Sequence, residues 1–204
     1  MHYESDDEVS VTLAGTDPAL GALINRVGAI SLALPSDPFV ALIRSIVGQQ
    51  LSERAARAIF ARLSDTLDIT PRALASADEP KLRAAGLSRQ KSSYVQETAR
   101  RFLSGDFDPH RLEGLTDEDA MSQLMRLRGV GPWSAEMFLM FALGRPDILA
   151  LDDLGVRAQA GEMMGLGRPA SREELIERAE AWRPHRSAAC FYLMASRARS
   201  AVRR

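Results

Sequence analysis

A glycine turn between two helical segments constrains this chain more than any other feature of its sequence. Residues 127–135 read Leu-Arg-Gly-Val-Gly-Pro-Trp-Ser-Ala. Glycine lets a backbone turn sharply and approach another surface closely. Pro132 suits the first turn of a helix, where its missing N–H costs no hydrogen bond. The segment therefore predicts a helix-hairpin-helix unit that turns backbone N–H groups and a positive helix end outward, which is a ready site for an anion such as a phosphate.

Apolar residues recur with a helical period along most of the remaining sequence. Typical helix starts and N-caps are spread along the chain: Asp37-Pro38, Ser52, Thr70-Pro71, Asp78-Glu79-Pro80, Ser88 and Thr116. Further helices are expected over residues 132–143, 171–182 and 185–201. Strand-like alternation is scarce, so the sequence predicts an all-α protein.

The composition is that of a soluble globular protein, with 204 residues, 46% of them hydrophobic and 26% charged. No apolar run is long enough to span a bilayer. The first ten residues are acidic, unlike a secretory leader. We expect a cytoplasmic, nucleoid-associated protein that does not contact membranes, and nothing in the sequence demands more than a monomer.

Cysteine and histidine usage limits the chemistry that is open to the chain. Cys190 is the single cysteine, which excludes a disulfide and a four-cysteine iron–sulfur cluster. The three histidines, His2, His110 and His185, are too far apart in sequence to suggest a metal site. We therefore expect catalysis by carboxylates, with no cofactor for the chemistry.

Charge is distributed unevenly although the formal net charge is only −1. Acidic residues dominate positions 1–37, whereas positions 183–204 contain six arginines and no acid. A basic cluster of this kind fits a surface that faces phosphates, and it fits an ordinary solvated C-terminal helix equally well.

Four segments, in this order along the chain, resemble the helix-hairpin-helix DNA glycosylases, in particular the 3-methyladenine DNA glycosylase II (AlkA-like) branch. The matching segments are residues 46–52 (Ile-Val-Gly-Gln-Gln-Leu-Ser), 127–135, 151–154 (Leu-Asp-Asp-Leu) and 182–187 (Trp-Arg-Pro-His-Arg-Ser). The similarity extends over roughly residues 17–197. Four ordered motifs are far more specific than a glycine hairpin alone.

The resemblance implies one glycosylase domain over residues 1–204, built as two helical lobes with the active site in the cleft between them. The middle lobe is expected near residues 39–144, and the second lobe from about residues 1–38 plus 145–204. Some relatives carry an extra N-terminal β-domain, for which the residues before Asp17 are too few.

The family's catalytic aspartate matches Asp153, the second acid of the Asp-Asp pair, in its spacing from Trp133. Cleavage of an N-glycosidic bond develops positive charge on the sugar, which a carboxylate stabilises while it orients a water molecule. The alternative is that the pair merely caps the following helix, a role that we expect for Asp152.

Trp133 occupies the position where strand-cutting relatives have a lysine that forms a Schiff base. The only lysines of the chain are Lys81 and Lys91. The resemblance therefore implies a monofunctional enzyme without lyase activity. Trp133 is expected to form a wall of the base pocket and to stack on a flipped, cationic purine, unless it is a plain core tryptophan.

The resemblance assigns further residues to the site. The base pocket is expected to include Met137, Met194 and Tyr192, although a helical Met/Phe stripe is more often core, and Phe191 and Tyr192 share that ambiguity. Gln50, with Leu51, is expected to be the wedge that fills the space left by the flipped base, or else a polar cap on the preceding helix.

The hairpin is expected to bind the DNA backbone and a structural cation. The phosphate-binding residues would be Gly129, Val130, Gly131, Trp133 and Ser134. Backbone carbonyls of Met125, Leu127 and Val130 match the positions that hold a structural cation, Na⁺ or Mg²⁺, in relatives.

The expected activity is excision of alkylated purines of the 3-methyladenine type from double-stranded DNA, which leaves an abasic site. Two alternatives remain open on the sequence. The first is a glycosylase for deaminated or oxidised bases, because the pocket departs from the aromatic-rich pattern. The second is a non-catalytic helix-hairpin-helix DNA-binding protein.

Overall fold

Helices form nearly all of the regular structure in the computed structural model, which describes residues 1–32 and 37–202, without the side chains of 53 and 200–202. Two of the six C-terminal arginines, Arg203 and Arg204, lie outside the described residues. The expectation of an all-α protein is confirmed. No helix in the described ranges is long and apolar enough to cross a membrane.

The chain divides into two compact units, which we call the terminal unit (residues 1–34 and 144–204) and the middle unit (residues 35–143). The expected middle lobe was 39–144. In the middle unit the helices are α3 (Pro38–Gly48), α4 (Glu53–Thr66), α5 (Pro71–Ser76), α6 (Glu79–Ala84), α7 (Arg89–Ser104), α8 (Asp117–Met125) and α9 (Pro132–Phe141). In the terminal unit they are α1 (Glu8–Thr16), α2 (Pro18–Val27), α10 (Leu154–Met163), α11 (Arg172–Ala179) and α12 (Arg186–Val202).

Helix starts follow the capping residues of the sequence. The side chains of five predicted caps each accept a hydrogen bond from a backbone N–H in the first turn: Asp37, Ser52, Thr70, Ser88 and Thr116. The helix predicted over 132–143 ends earlier, at Phe141, because the N–H groups of Ala142 and Leu143 both reach back to the carbonyl of Phe138 before Gly144 turns with a φ of +63°.

The middle unit packs α4, α7 and α9 against α3. Leu42, Ile43 and Ile46 of α3 are completely buried. At the start of α3, Phe39 meets Phe102 of α7 edge-on, with ring centroids 4.9 Å apart. This core positions α3 and α9, which flank the α3–α4 loop and the turn before α9 where most of the predicted site residues of this unit lie.

The terminal unit contains structure that the sequence analysis did not anticipate. Helices α1 and α2 and a small antiparallel pair of strands, β1 (His2–Tyr3) and β2 (Ile30–Ser31), precede residue 33. The helix predicted over 171–182 is split into α11 and a 3₁₀ turn, Glu180–Trp182.

Asp17 joins the first and last parts of this unit through a buried ion pair. Its carboxylate caps α2, pairs with the guanidinium of Arg178, and accepts a hydrogen bond from Nε1 of Trp182 at 2.8 Å. Burial alone would raise the pKa of Asp17, but the hydrogen bonds from Arg178 and Trp182 outweigh it and hold the pKa below its usual value.

Candidate functional site

The predicted helix-hairpin-helix unit is present as α8, a turn over residues 126–131, and α9. In the turn, the N–H of Leu127 donates to the carbonyl of Leu124, and the N–H of Val130 donates to that of Leu127, both at 3.0 Å. The side chains of Leu127 and Val130 are buried. These two apolar anchors fix the turn, so the backbone between them is held in one conformation.

The two glycines of the turn are required for different reasons. At Gly129, with a φ of +85°, a Cβ atom would overlap the ring of Tyr94 on α7. Tyr94 is held in turn by a hydrogen bond from Nε2 of Gln90, and the guanidinium of Arg128 lies 5.7 Å from the ring centroid. Gly129 thus serves the protein's own packing, beyond the close approach to a phosphate that the sequence suggested.

At Gly131 a Cβ atom would meet nothing within 4 Å, so the space in front of this residue is open. Gly131 is also the N-cap of α9, and within the described chain no side chain caps that helix. Glycine has no side chain that could accept a hydrogen bond from the first turn of α9, and the helix dipole adds positive potential there. This end of α9 is suited to an anion.

The side chain of Ser134 is not available to a phosphate. It is 1% exposed, and its hydroxyl accepts a hydrogen bond from Nε2 of Gln49 at 2.8 Å. The sequence placed Ser134 among the phosphate-binding residues; the buried hydroxyl limits such a contact to the N–H. Val130 is buried as well, at 5% exposed, and its N–H already donates to the carbonyl of Leu127.

The predicted wedge lies on the loop between α3 and α4. Gln50 has a φ of +58°, alone among the non-glycine residues that the structure describes, and its side chain is exposed. Leu51 is 39% exposed, although large apolar side chains usually pack inside. The residue at the C-cap position of α3 is Gln49, and not Gln50.

Trp133 and Met137 lie one turn apart on α9. Trp133 is half-buried, and its Cη2 atom lies 3.8 Å from the position that a Cβ on Gly48 would take. Met137 keeps 8% of its surface exposed, whereas Phe138 and Met140 are completely enclosed. Met137, Phe138 and Met140 are therefore buried, as the core interpretation expects, whereas Trp133 is only half-buried.

Asp153 is the N-cap of α10, and its Oδ1 atom accepts the N–H of Val156 at 2.8 Å. This corrects the expected division of the acidic pair, because the cap is not Asp152. Asp152 instead forms an ion pair with Arg172 of α11. The cap fixes the orientation of the Asp153 carboxylate, since rotation about its side-chain bonds would break the hydrogen bond to the backbone.

The Trp-Arg-Pro-His-Arg-Ser segment holds the loop that leads to Asp153. Arg186 donates to the carboxylate of Asp147 at 2.8 and 3.0 Å and to its carbonyl at 2.6 Å. The hydroxyl of Ser187 donates to the carbonyl of Arg145 and accepts the N–H of Ile148. These residues were not assigned a role from the sequence, although they fall within a matching motif.

The candidate pocket residues on α12 differ sharply in exposure. Tyr192 is completely buried, and its hydroxyl lies 2.8 Å from Oγ of Ser10 and donates to the carbonyl of Glu4. Phe191 is 1% exposed. Tyr192 therefore cannot touch a base in this conformation, which corrects its placement in the pocket. Met194 retains partial exposure.

Backbone carbonyls of the hairpin have the chemistry that the expected cation requires. Hard cations such as Na⁺ and Mg²⁺ prefer oxygen ligands, which the carbonyls of Met125, Leu127 and Val130 supply. The carbonyl of Leu127 accepts the N–H of Val130, and a carbonyl oxygen has a second lone pair for a cation. Among the described side chains, no cluster of three or more His, Cys, Asp or Glu residues is arranged to hold a metal.

Comparisons with known proteins identify the family to which this fold belongs. A family model described as "HhH-GPD superfamily base excision DNA repair protein" matches residues 43–184. The chain is 29% identical over 189 residues to the alkylbase DNA glycosidase-like protein mag2 of Schizosaccharomyces pombe, covering 89% of each protein. A crystal structure of a DNA-3-methyladenine glycosidase from Bacillus halodurans shares 33% identity and superposes with a TM-score of 0.83, over 99% of this chain and 94% of that one.

A second solved structure is that of the 3-methyladenine DNA glycosylase Mag1 of Schizosaccharomyces pombe in complex with abasic DNA. It shares 28% identity and superposes with a TM-score of 0.86, over 92% of this chain and 95% of that one. The family match spans well over half of the sequence and includes the α3–α4 loop, the hairpin and the Asp-Asp pair. The chain therefore belongs to the HhH-GPD superfamily of base excision DNA repair proteins.

Proposed function

We propose that this protein is a monofunctional DNA glycosylase that removes alkylated purines of the 3-methyladenine type from double-stranded DNA. The observation that carries the proposal is the carboxylate of Asp153, which the N-cap hydrogen bond holds in one orientation. It lies in a chain similar over most of its length to proteins described as 3-methyladenine DNA glycosylases. A protein that only bound DNA could cap α10 with an uncharged serine or threonine, and a carboxylate at that position would repel DNA phosphates.

The reaction replaces the bond between the sugar and the base by a bond to water. Alkylation of a ring nitrogen makes the base cationic, so it leaves as a neutral molecule and takes the electrons of the N-glycosidic bond with it. The carboxylate of Asp153 stabilises the positive charge left on the sugar and orients the attacking water, whose proton is released. The products are the free base and an abasic site.

The base is proposed to meet the exposed part of Trp133. An aromatic ring attracts a cation through its electron-rich face, and this favours an alkylated purine over a neutral one. Met137 and Met194, each with some exposed surface, remain candidates for the same contact. Methionine is flexible and polarisable, and it would accept bases of several shapes.

The open N-terminal end of α9 is proposed to bind a DNA phosphate through the N–H groups that follow Gly131. A phosphate contact positions the duplex without reading its sequence. The hairpin carbonyls of Met125, Leu127 and Val130 are proposed to hold a structural cation, which would stabilise the turn and take no part in the chemistry. We also propose that the protein acts as a monomer on chromosomal DNA in the cytoplasm.

Base release from alkylated duplex DNA by the wild type and by Asp153→Asn tests the proposal. Asparagine is as good an N-cap as aspartate, so the variant keeps the cap and loses the charge. We expect release of methylated purines by the wild type only, with strand breaks only after alkali. Asp152→Asn is the matched control and is expected to retain excision.

Other outcomes would replace the proposal. Excision by Asp153→Asn at the wild-type rate would remove Asp153 from its role. Release of only deaminated or oxidised bases would change the substrate class. Tight binding to distorted DNA without release of any of these bases would indicate a DNA-binding protein.

A further inference from the structure

Gln49, the residue before the proposed wedge, is bonded to the hairpin. Its Nε2 atom donates to the carbonyl of Gly129 at 2.5 Å and to the hydroxyl of Ser134 at 2.8 Å. Gly129 belongs to the turn, and Ser134 belongs to the first turn of α9. One amide group thus ties the α3–α4 loop to both parts of the surface that is proposed to bind a phosphate.

Lys91 of α7 holds the backbone of the same loop. Its Nζ atom donates to the carbonyl of Val47 at 2.8 Å and to that of Gln49 at 2.7 Å. The last carbonyls of a helix lack partners within the helix, and a cation there is favoured by the helix dipole. Burial lowers the pKa of Lys91, and the ammonium is held by these carbonyls at the end of α3.

The segment that follows these contacts, Gln50 and Leu51, is strained and exposed. A non-glycine residue in the left-handed conformation of Gln50 costs free energy, and it persists where its surroundings impose it. The N–H of Leu51 donates to the carbonyl of Gly48 at 3.2 Å and closes the turn. Gln50 and Leu51 are both exposed.

Packing alone does not hold this loop in place. A cavity of about 230 Å³ lies beside it, lined by Gln49, Gln50, Leu51 and Lys91 together with residues of α4 and of the 86–88 turn. A loop next to a cavity of this size has room to move. The hydrogen bonds of Gln49 and Lys91, together with the one from Leu51 to Gly48, therefore hold the loop in its conformation.

We propose that Gln49 and Lys91 are positioning residues that couple the phosphate-binding hairpin to the α3–α4 loop that carries the wedge, which we call the wedge loop. This inference rests on the proposed function, because a wedge has a use only where a base leaves the stack. With both contacts intact, a duplex that binds the hairpin meets Gln50 already in place, and no binding energy is lost in ordering the loop. Without them, the hairpin still binds phosphate, but the wedge enters the duplex less often.

The test separates binding from insertion. The probe is a duplex with a tetrahydrofuran abasic analogue opposite 2-aminopurine, whose fluorescence reports contact with the orphaned base. Gln49→Met removes both hydrogen bonds at nearly constant volume. We expect its affinity for an undamaged duplex to stay within about twofold of the wild type, whereas the preference for the abasic duplex and the single-turnover excision rate each fall about tenfold.

The chain offers a matched control in Gln96. It is also a partly buried glutamine, and its Nε2 atom donates to a backbone carbonyl, that of Ala77, at 2.7 Å. Gln96→Met is expected to lower the melting temperature as much as Gln49→Met does, and to leave insertion and excision unchanged. Lys91→Met should reproduce the defect of Gln49→Met, and Lys91→Arg should restore function, because a guanidinium can still donate to two carbonyls.

A double-mutant cycle with Gln50→Ala distinguishes coupling from general destabilisation. If Gln49 acts through the wedge, Gln49→Met will cause little further loss of abasic preference once Gln50→Ala has removed the wedge side chain. The inference would be overturned if the losses of abasic preference in the double mutant were additive, or if Gln49→Met inserted its wedge as well as the wild type does. It would also be overturned if Gln96→Met lost insertion and excision to the same extent as Gln49→Met.

The proposed function is tested separately by the wild type. If the wild type inserts into the abasic duplex but excises no base, the proposed function fails. The double-mutant cycle, measured by 2-aminopurine fluorescence, then still tests whether Gln49 is coupled to the wedge. If the wild type excises alkylated bases and Gln49→Met does so equally well, the coupling fails alone.

Discussion

Alanine substitution at Gly129 and at Gly131, one at a time, separates the two roles of the hairpin's glycines. At Gly129 the new Cβ atom would lie 2.7 Å from Cε2 of Tyr94, and nearer still to two other ring atoms, in a residue with a φ of +85°. A left-handed alanine costs about 1–2 kcal/mol, and overpacking costs about 1–3 kcal/mol. We expect Gly129→Ala to lower the free energy of unfolding by about 3 kcal/mol.

Gly131→Ala is expected to behave in the opposite way. Its φ is −95°, which any residue adopts, and a Cβ would meet nothing within 4 Å. The free energy of unfolding should therefore change by no more than about 0.5 kcal/mol. Its affinity for every duplex should fall, and that of Gly131→Asp should fall further, by about tenfold or more, because the added carboxylate repels the phosphate.

Urea unfolding of both variants, with fluorescence anisotropy on an undamaged duplex, measures the two effects. If Gly129→Ala is as stable as the wild type, the close approach to Tyr94 imposes no constraint, and the packing argument is wrong. Unchanged duplex affinity of Gly131→Asp, with unfolding also unchanged, would remove the hairpin from the DNA-binding surface.

Three further perturbations test other parts of the structure. Asp17→Asn should lower the free energy of unfolding by about 2 kcal/mol at neutral pH, because it weakens hydrogen bonds to a charged group. Since the folded pKa of Asp17 is depressed, this difference should begin to be lost as the pH falls below about 4. An equal difference at pH 3 and pH 7 would contradict this. Borohydride should trap no covalent complex with abasic DNA, since Trp133 stands where strand-cutting relatives have a lysine; a trapped complex would show lyase chemistry. Arg186→Met should lower the excision rate without weakening duplex binding, because it removes the three side-chain hydrogen bonds from Arg186 to Asp147 and leaves Arg183 as the remaining guanidinium partner in the loop that leads to Asp153. An unchanged rate would show that the loop does not need the support of Arg186.

Helix boundaries in this protein were predictable because they are set by local hydrogen bonds. A side-chain oxygen at Ser52, Ser88 or Thr116 reaches an N–H three residues later, so the preference is written in a few adjacent residues. Helix α2 begins with the same kind of pattern, Asp17-Pro18, and could have been predicted as well.

Contacts between distant residues were not predictable in this way. The pair of two-residue strands depends on His2 facing Ser31 and Tyr3 facing Ile30, and neither segment alternates for long enough to indicate a strand. The burial of Tyr192 depends on Ser10, which is remote in sequence. An α-helical pattern shows that one face is buried, but it does not show which aromatic residue keeps an open surface.

The candidate site shows a further limit of prediction from sequence. A motif identifies the functional segment, but it does not show which of two adjacent residues has which role. From the sequence, Asp152 was expected to cap the helix and Asp153 to be catalytic, whereas in the structure Asp153 is the N-cap and Asp152 forms an ion pair with Arg172. A cap uses Oδ1 to fix the carboxylate in one orientation, and a catalytic carboxylate also needs a fixed orientation. The two roles are therefore compatible in one residue.

Gln49 and Gln50 of the wedge loop show the same limit, because two identical neighbouring residues have different environments. The residue type does not separate Gln49 from Gln50, and the resemblance chose Gln50 by its position alone. Their backbone angles do separate them, because a φ of −52° followed by one of +58° gives the two residues different surroundings. Gln49 is bonded to Gly129 and Ser134, and Gln50 is exposed. A residue that is bonded inside the protein cannot also fill a gap in DNA without breaking those bonds, so the neighbour with the strained backbone is the one available for insertion.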